Sequence, residues 1–436
     1  MRVMSGKEDY FEIKVEQLAR VEGEGGVWVK VKDGKIDYVE VNIFEPPRFF
    51  EAFLKGRSYL EAPDLTARIC GICPLAYVMA ASRAMEKILG IKISDAANEL
   101  RKIAFYGEWI ESHVLHFAFL HAPDFLGKHS IFEIAKEYPQ FVKDAIAARN
   151  WGNRAIEIIG GRPVHPVGFR VGGLHRIIKK RELEPLLKNL DEVKKIGKRL
   201  LEFVLKLPIP EISYDLVFMS LKGEKEYPIL EGVVANNLGE EFPEDEFEEH
   251  TIVEQKRYSN ALHYRLKNGK PYITGPLARF NLNYELLSPE VRDVLEEFGF
   301  KPPLRNTYQS IIARAAETYH AILEIGRLVE EYREPNRAYE EAEVKAGEDM
   351  AIVEAPRGML YHRYRISDEG KILYANIVPP TAQNYAAMEE DILKVGDLIL
   401  KQPKEKAQKL VETTIRNYDP CISCSVHMIR LKIIEE

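Results

Sequence analysis

RICGIC (68–73) and DPCISCSVH (419–427) decide the reading of this 436-residue chain. They hold its four cysteines, Cys70, Cys73, Cys421 and Cys424, as two C-x-x-C pairs about 350 residues apart. With no cysteine outside the pairs, a disulfide framework is the poorer reading, and four thiolates on one metal is the better one. By spacing alone the set suits structural zinc, but zinc ribbons bring their pairs within some tens of residues to staple a small module. Thiolates drawn from both ends of a large chain predict a metal buried at the centre of the fold. Soft sulfur donors suit nickel, iron or zinc rather than magnesium or calcium.

Outward from the cysteines, VWVKVKDGKIDYVEVNIF (27–44) alternates around Asp33-Gly34, a hairpin signal. MLYHRYRI and ILYANIV (359–366 and 372–378) form a second alternating pair. Helical spacing runs through 65–89, 96–121, 184–207 and 308–332. GEEFPEDEFEEH (239–250) reads as a solvated acidic loop. The fold class is therefore α+β: a large helical bundle core with peripheral β-hairpins. Length alone allows about three domains. The cysteine placement favours a single intertwined domain over 1–436, with the N-terminal hairpin region at about 10–45.

Composition sets the limits. The chain is 46% hydrophobic and 30% charged, which supplies a sizeable core and excludes a disordered chain. A net charge of −7 argues against a nucleic-acid-binding footprint. No stretch reaches the ~18–20 apolar residues of a membrane span. MRVMSGKEDYFEIKVE has no apolar signal region, so the expected location is cytoplasmic.

The residues flanking the cysteines resemble the large, catalytic subunit of nickel–iron hydrogenases, whose signatures are R-x-C-G-x-C early and D-P-C-x-x-C-x-x-H at the C-terminus. ARVEGEGG (19–26), PRFFEAFLKGR (47–57), SHVLHFAFLHAPDF (112–125), RPVHPVGFRVGG (162–173), GPLARFN (275–281), EAPRG (354–358) and IVPPTAQN (377–384) match further landmarks of that family in order. Two positions depart from it: Tyr77, where the family often has His, and Glu24, where the opening motif has His. Both point towards the cytosolic, pyridine-nucleotide-linked branch that includes the sulfhydrogenases.

The resemblance implies the fold of that subunit and reversible heterolytic cleavage of dihydrogen. Cys70 and Cys421 are then terminal nickel ligands, and Cys73 and Cys424 bridge nickel to an iron carrying carbon monoxide and cyanide. Pro379 and Thr381 lie in the loop facing those diatomic ligands. Arg357 sits at the open metal position, paired with Asp124 and Asp419. Glu22 is the first proton acceptor, beside the fourth cysteine, and Glu24 either extends that relay or faces solvent. Glu51, His427 and a carbonyl assigned to Asn376 bind a second ion, magnesium or iron. His113, His116 and His121 read as core residues more than as a metal set, and His165 as an interface residue near a partner's iron–sulfur cluster.

Because every cysteine is assigned, the electron path lies on other chains. The implied partners are an iron–sulfur small subunit, a flavin (FAD) and NADP-binding subunit and an additional iron–sulfur subunit, together a heterotetramer, with a maturation endopeptidase acting beforehand. Sulfur reduction is a further activity of that branch. The alternatives are a non-catalytic hydrogen sensor on the same fold and, less well matched because its members usually lack the cysteine pairs, a respiratory quinone-site scaffold. The tail after His427, MIRLKIIEE, is expected to stay uncleaved or to be precursor sequence.

Overall fold

The structure, a computed structural model, describes residues 10–426. The alternating N-terminal segment folds as a three-stranded antiparallel sheet, β1 (Tyr10–Val15), β2 (Gly25–Lys32) and β3 (Lys35–Ile43). Asp33 and Gly34 both take positive φ (51° and 72°), as a two-residue turn between twisted strands requires. Val27, Val29, Val31, Val39, Val41 and Ile43 turn inward and are buried.

The core is helical. Helices α1 (Phe50–Leu54), α2 (Ala62–Ala67), α3 (Pro74–Leu89) and α4 (Asp95–Val114) follow the sheet. Ser94 caps α4 by accepting the Ala97 N–H, and Gly90 closes α3 in the left-handed region. The long helix Pro139–Gly160 crosses α4 where two glycines face each other. A Cβ on either Gly107 or Gly152 would come within 2.7 Å of the other's carbonyl oxygen. Helices Leu190–Leu205 and Ser310–Glu331 complete the bundle. The second hairpin gains an unforeseen third strand, giving the antiparallel sheet Gly347–Ala355, Gly358–Ile366 and Ile372–Val378. Among the described residues no helix is long and apolar enough to cross a membrane.

Four expectations need correction. The 65–89 segment is two helices, and the cysteine pair lies in the turn between them. Pro74 lacks an N–H and disfavours helical backbone before it, and the Cys70 sulfur accepts the Ile72 and Cys73 N–H groups. The 96–121 segment leaves α-geometry at Leu115–His121, a π-helical turn that ends just before Pro123. The 184–207 segment breaks at Asn189 into Lys180–Lys188 and Leu190–Leu205. The acidic stretch is not a loop free in solvent. Glu248 accepts hydrogen bonds from Tyr361, Asn376 and Arg363, while Glu244 takes the Ile352 N–H and Lys87. Two carboxylates thus pin 239–250 to the second sheet, through Ile352, Tyr361, Arg363 and Asn376, and to α3 through Lys87.

Candidate metal centre

The chain ends meet at the cysteines. Arg48 joins both cysteine segments, its guanidinium donating to the Ile69 carbonyl at 2.7 Å and to the Ser423 carbonyl. Glu22 pairs with Cys421 as a β-bridge, and the Ile422 N–H donates to the Glu22 carbonyl at 2.9 Å. Gly23 makes this approach possible. It has φ +89°, and a Cβ there would lie 2.7 Å from Ile422 Cβ and 2.9 Å from the Ser423 nitrogen.

The four sulfurs lie within 4.8 Å of one another, all buried. Cys70 Sγ is 3.6 Å from Cys421 Sγ, and Cys73 Sγ is 4.0 Å from Cys424 Sγ. Each close pair therefore takes one cysteine from either end of the chain. Hydrogen bonds from the neighbouring thiols, Cys421 first, hold the Cys70 thiol low, whereas burial pushes Cys421 and Cys424 up. Four buried thiols cannot all ionise without a counter-charge, and one buried guanidinium, Arg357, is not enough. A soft, multiply charged metal centre fits this donor set.

The polar surroundings are specific. The Cys421 thiol donates to Glu22 Oε2 at 3.0 Å, and the Ser423 N–H donates to the same oxygen at 3.1 Å. Glu22 thus touches Cys421, the third cysteine, whereas the resemblance implies a place beside the fourth. Thr381 Oγ1 accepts the Cys421 N–H at 3.0 Å, and Pro379 caps the helix Pro380–Lys394 that carries Thr381. Arg357 donates through Nε to the Asp419 carbonyl at 2.9 Å and through Nη2 to Asp419 Oδ1 at 3.2 Å. Burial would pull its pKa down, but Asp419 and the cysteines outweigh that and raise it, so it stays protonated.

Asp124 does not pair with Arg357. It takes a two-point contact from Arg416, at 2.7 and 2.8 Å, and a further one from Arg20. Asp124 lies just past the π-helical turn, which packs against helix Lys404–Arg416 and so brings Arg416 within its reach. Glu24 faces solvent, its N–H on Glu45 Oε2. Glu51 is buried and accepts the Ile377 N–H at 2.8 Å, next to Asn376, whose side-chain amide donates to Glu248. His427 lies outside the described residues, as does the tail after it.

The histidines are core residues. His113 lies 2.8 Å from Glu317, His116 contacts the Arg416 carbonyl at 2.8 Å, and His121 contacts the Asn417 side chain at 3.0 Å. Burial lowers His113 to about 4 and His121 to about 3, so both are neutral at pH 7. His116 and His121 brace the 416–417 stretch just before Cys421. His165 contacts the Ala67 carbonyl at 2.9 Å, at the end of α2 before the first cysteine pair.

Sequence reading gave no role to Arg48 or Glu108. Glu108 is fully buried and accepts the Leu75 and Ala76 N–H groups at 2.6 and 3.0 Å, at the start of the helix that follows Cys73. Burial raises its pKa well above the carboxylate range. The signal for Arg48 was its place in PRFF; Glu108 gave none beyond a carboxylate on the inner face of α4.

A profile of the nickel-dependent hydrogenases matches residues 48–146 and 234–427, which include all four cysteines. The chain belongs to that family. This hydrogenase chain is 33% identical over 422 residues to the sulfhydrogenase 2 alpha subunit of Pyrococcus furiosus, covering 96% of this chain and 100% of that one. It is 31% identical to the sulfhydrogenase 1 alpha subunit of the same organism, over 97% and 99% of the two chains. Its fold matches the crystal structure of an NAD+-reducing [NiFe]-hydrogenase in the H2-reduced state with a TM-score of 0.88, at 25% identity over 96% and 99% of the chains. The expected α+β fold of a nickel–iron hydrogenase large subunit is thus the observed one, and the chain is an oxidoreductase of that type.

Proposed function

We propose that this subunit cleaves and forms dihydrogen heterolytically and passes the electrons through iron–sulfur and flavin subunits to NADP(H). The observation that carries the reading is the buried sulfur quartet with a carboxylate, Glu22, and a protonated guanidinium, Arg357, close to it. Cys70, Cys73, Cys421 and Cys424 would hold a nickel–iron centre whose iron bears carbon monoxide and cyanide, beside Pro379 and Thr381. When bound, that centre supplies the Lewis acidity and the redox capacity for the reaction.

The chain's own residues handle charge and protons. Cys421 Sγ holds a proton and Glu22 Oε2, 3.0 Å away, receives it. The Ser423 N–H on the same oxygen fixes the carboxylate in place. Arg357 cannot readily give up its proton, so it acts by charge and orientation, with Asp419 holding it. Asp124 serves at one remove, tying Arg416 and Arg20 to the segment that leads into Cys421. Glu51, the Asn376 carbonyl and His427 would hold a second ion, magnesium or iron.

The relatives support a pyridine-nucleotide acceptor. Two are named sulfhydrogenase alpha subunits, and another is the beta subunit of the NAD-reducing hydrogenase HoxS of Cupriavidus necator. A cytoplasmic heterotetramer suits these relatives: this chain, an iron–sulfur small subunit, a flavin and NADP-binding subunit and a further iron–sulfur subunit, matured by an endopeptidase. Sulfur reduction is a second activity to be sought in the same complex. The test is hydrogen-dependent reduction of NADP+ and of an artificial dye by the purified complex. Reduction of both supports the reading. A fully nickel-loaded complex that turns over with neither acceptor would make the subunit a hydrogen sensor instead.

A further inference from the structure

Arg279, in helix Pro276–Asn283, is wholly buried. Its Nε and Nη2 donate to the two oxygens of Glu317, each at 2.7 Å. Nη1 donates to Glu354 Oε2 at 2.8 Å and to the Ala355 carbonyl at 2.9 Å, and Nη2 also reaches the Pro356 carbonyl at 3.1 Å. The two carbonyls belong to the residues immediately before Arg357. Other side chains hold this cluster in turn. The Trp109 ring lies 4.3 Å from the Arg279 guanidinium, and its indole N–H donates to the Glu354 carbonyl at 2.9 Å. The Tyr227 hydroxyl donates to Glu317 Oε1 at 2.8 Å.

The same segment grips Arg357 from its other side. Gly275 has φ +116°, and a Cβ there would lie 2.6 Å from the Arg357 carbonyl oxygen. Thr274 Oγ1 accepts the Met359 N–H at 2.9 Å. Residues 274–279 therefore hold the main chain before and after Arg357. The Arg357 side chain is less constrained: its hydrogen bonds run to Asp419 alone, and Nη1 has no hydrogen-bond partner among the described residues. A buried ion cluster adds little net stability compared with apolar packing of the same volume, so what it supplies here is position.

We propose that Arg279 is a positioning residue for Arg357, fixing the 354–356 backbone so that the Arg357 guanidinium keeps its place beside the four sulfurs. The inference rests on the reading of Arg357 given above, and its test separates the two. Arg279→Lys keeps the charge but cannot span Glu317, Glu354 and both carbonyls. In the intact complex this variant should keep its nickel, shift the infrared bands of the iron-bound diatomic ligands, and lose turnover about 10-fold, a rate effect carried through geometry. In an Arg357→Lys background the same change should cost less than about 2-fold, because the group it positions is already gone. Equal losses in both backgrounds, unshifted bands, or wild-type turnover in Arg279→Lys would overturn the proposal while leaving Arg357 its role. Normal turnover in Arg357→Lys alone would remove the role of Arg357, and the clamp with it. Should Arg279→Lys fail to load nickel, Trp109→Phe, which removes the N–H on the Glu354 carbonyl and trims the ring lying over Arg279, goes through the same cycle. A loss of about 3-fold that vanishes in the Arg357→Lys background supports the proposal. An additive loss or none refutes it.

Discussion

Two arginine–aspartate pairs flank the last turn before Cys421, and they differ in how far each is completed. Asp124 has both oxygens on Arg416, adds Arg20, and Arg416 is further tied to Glu412 and the Ala19 carbonyl. Asp419 has one oxygen on Arg357 at 3.2 Å, and its other oxygen lies 3.9 Å from Arg314 Nε with no hydrogen-bond partner among the described residues. Their pKa values move in opposite directions. Burial pushes both up, but Arg416 and its hydrogen bonds carry Asp124 below the ordinary aspartate value, whereas at Asp419 burial prevails over Arg357 and Arg314. Buried polar groups are normally satisfied. The first pair is a complete fastening, whereas the second leaves one carboxylate oxygen and one guanidinium nitrogen without a hydrogen-bond partner among the described residues.

That comparison can be broken at several points. The largest effect belongs to the sulfurs: Cys73→Ser or Cys424→Ser should abolish nickel binding and activity together, and stoichiometric nickel with turnover in either variant would refute a shared centre. Next is the incomplete pair. Arg357→Lys should cut turnover roughly 100-fold or more, a barrier rise of ~2.7 kcal/mol, with metal content unchanged. Glu22→Gln keeps the shape but cannot titrate. It should keep nickel and lose hydrogen-isotope exchange with solvent by about 10-fold or more, and wild-type exchange would place the proton exit elsewhere.

The complete pair should show itself in stability, not rate. Asp124→Asn removes one partner of a buried ion pair and should destabilise the protein by about 3 kcal/mol at neutral pH. Because the folded pKa of Asp124 is depressed, the wild-type advantage is present above its unfolded value, about 3.9, and is lost as pH falls through the lower folded value. Unfolding midpoints of the two proteins should therefore converge in acid. A gap that persists there, or a loss of turnover as large as that of Arg357→Lys, would make the two pairs alike.

Much of the centre was legible because its signals are short. C-x-x-C fixes two sulfurs locally, and Glu22 and Arg357 sit in compact motifs, ARVEGEGG and EAPRG. The hairpin at Asp33-Gly34 was legible for the same reason, a local turn chemistry. Partner choice was not. Asp124 is 104 positions from Arg20 and 292 from Arg416, and nothing in SHVLHFAFLHAPDF says which buried arginine it meets. Glu108 and Arg279 were hidden similarly, since a carboxylate or guanidinium on a helix reads as surface until the fold wraps it. The acidic stretch 239–250 misled because charge patterning predicts solvation, whereas Arg363, Asn376 and Tyr361 await Glu248 on a sheet more than a hundred positions away.

The central claim is that the four thiolates hold one nickel–iron centre. Metal analysis of the purified complex, read together with its infrared spectrum, tests it most directly. One nickel per chain, iron beyond that of the partner clusters, and bands of carbon monoxide and cyanide bound to metal are expected. Zinc in place of nickel, with no such bands in an active preparation, would contradict it.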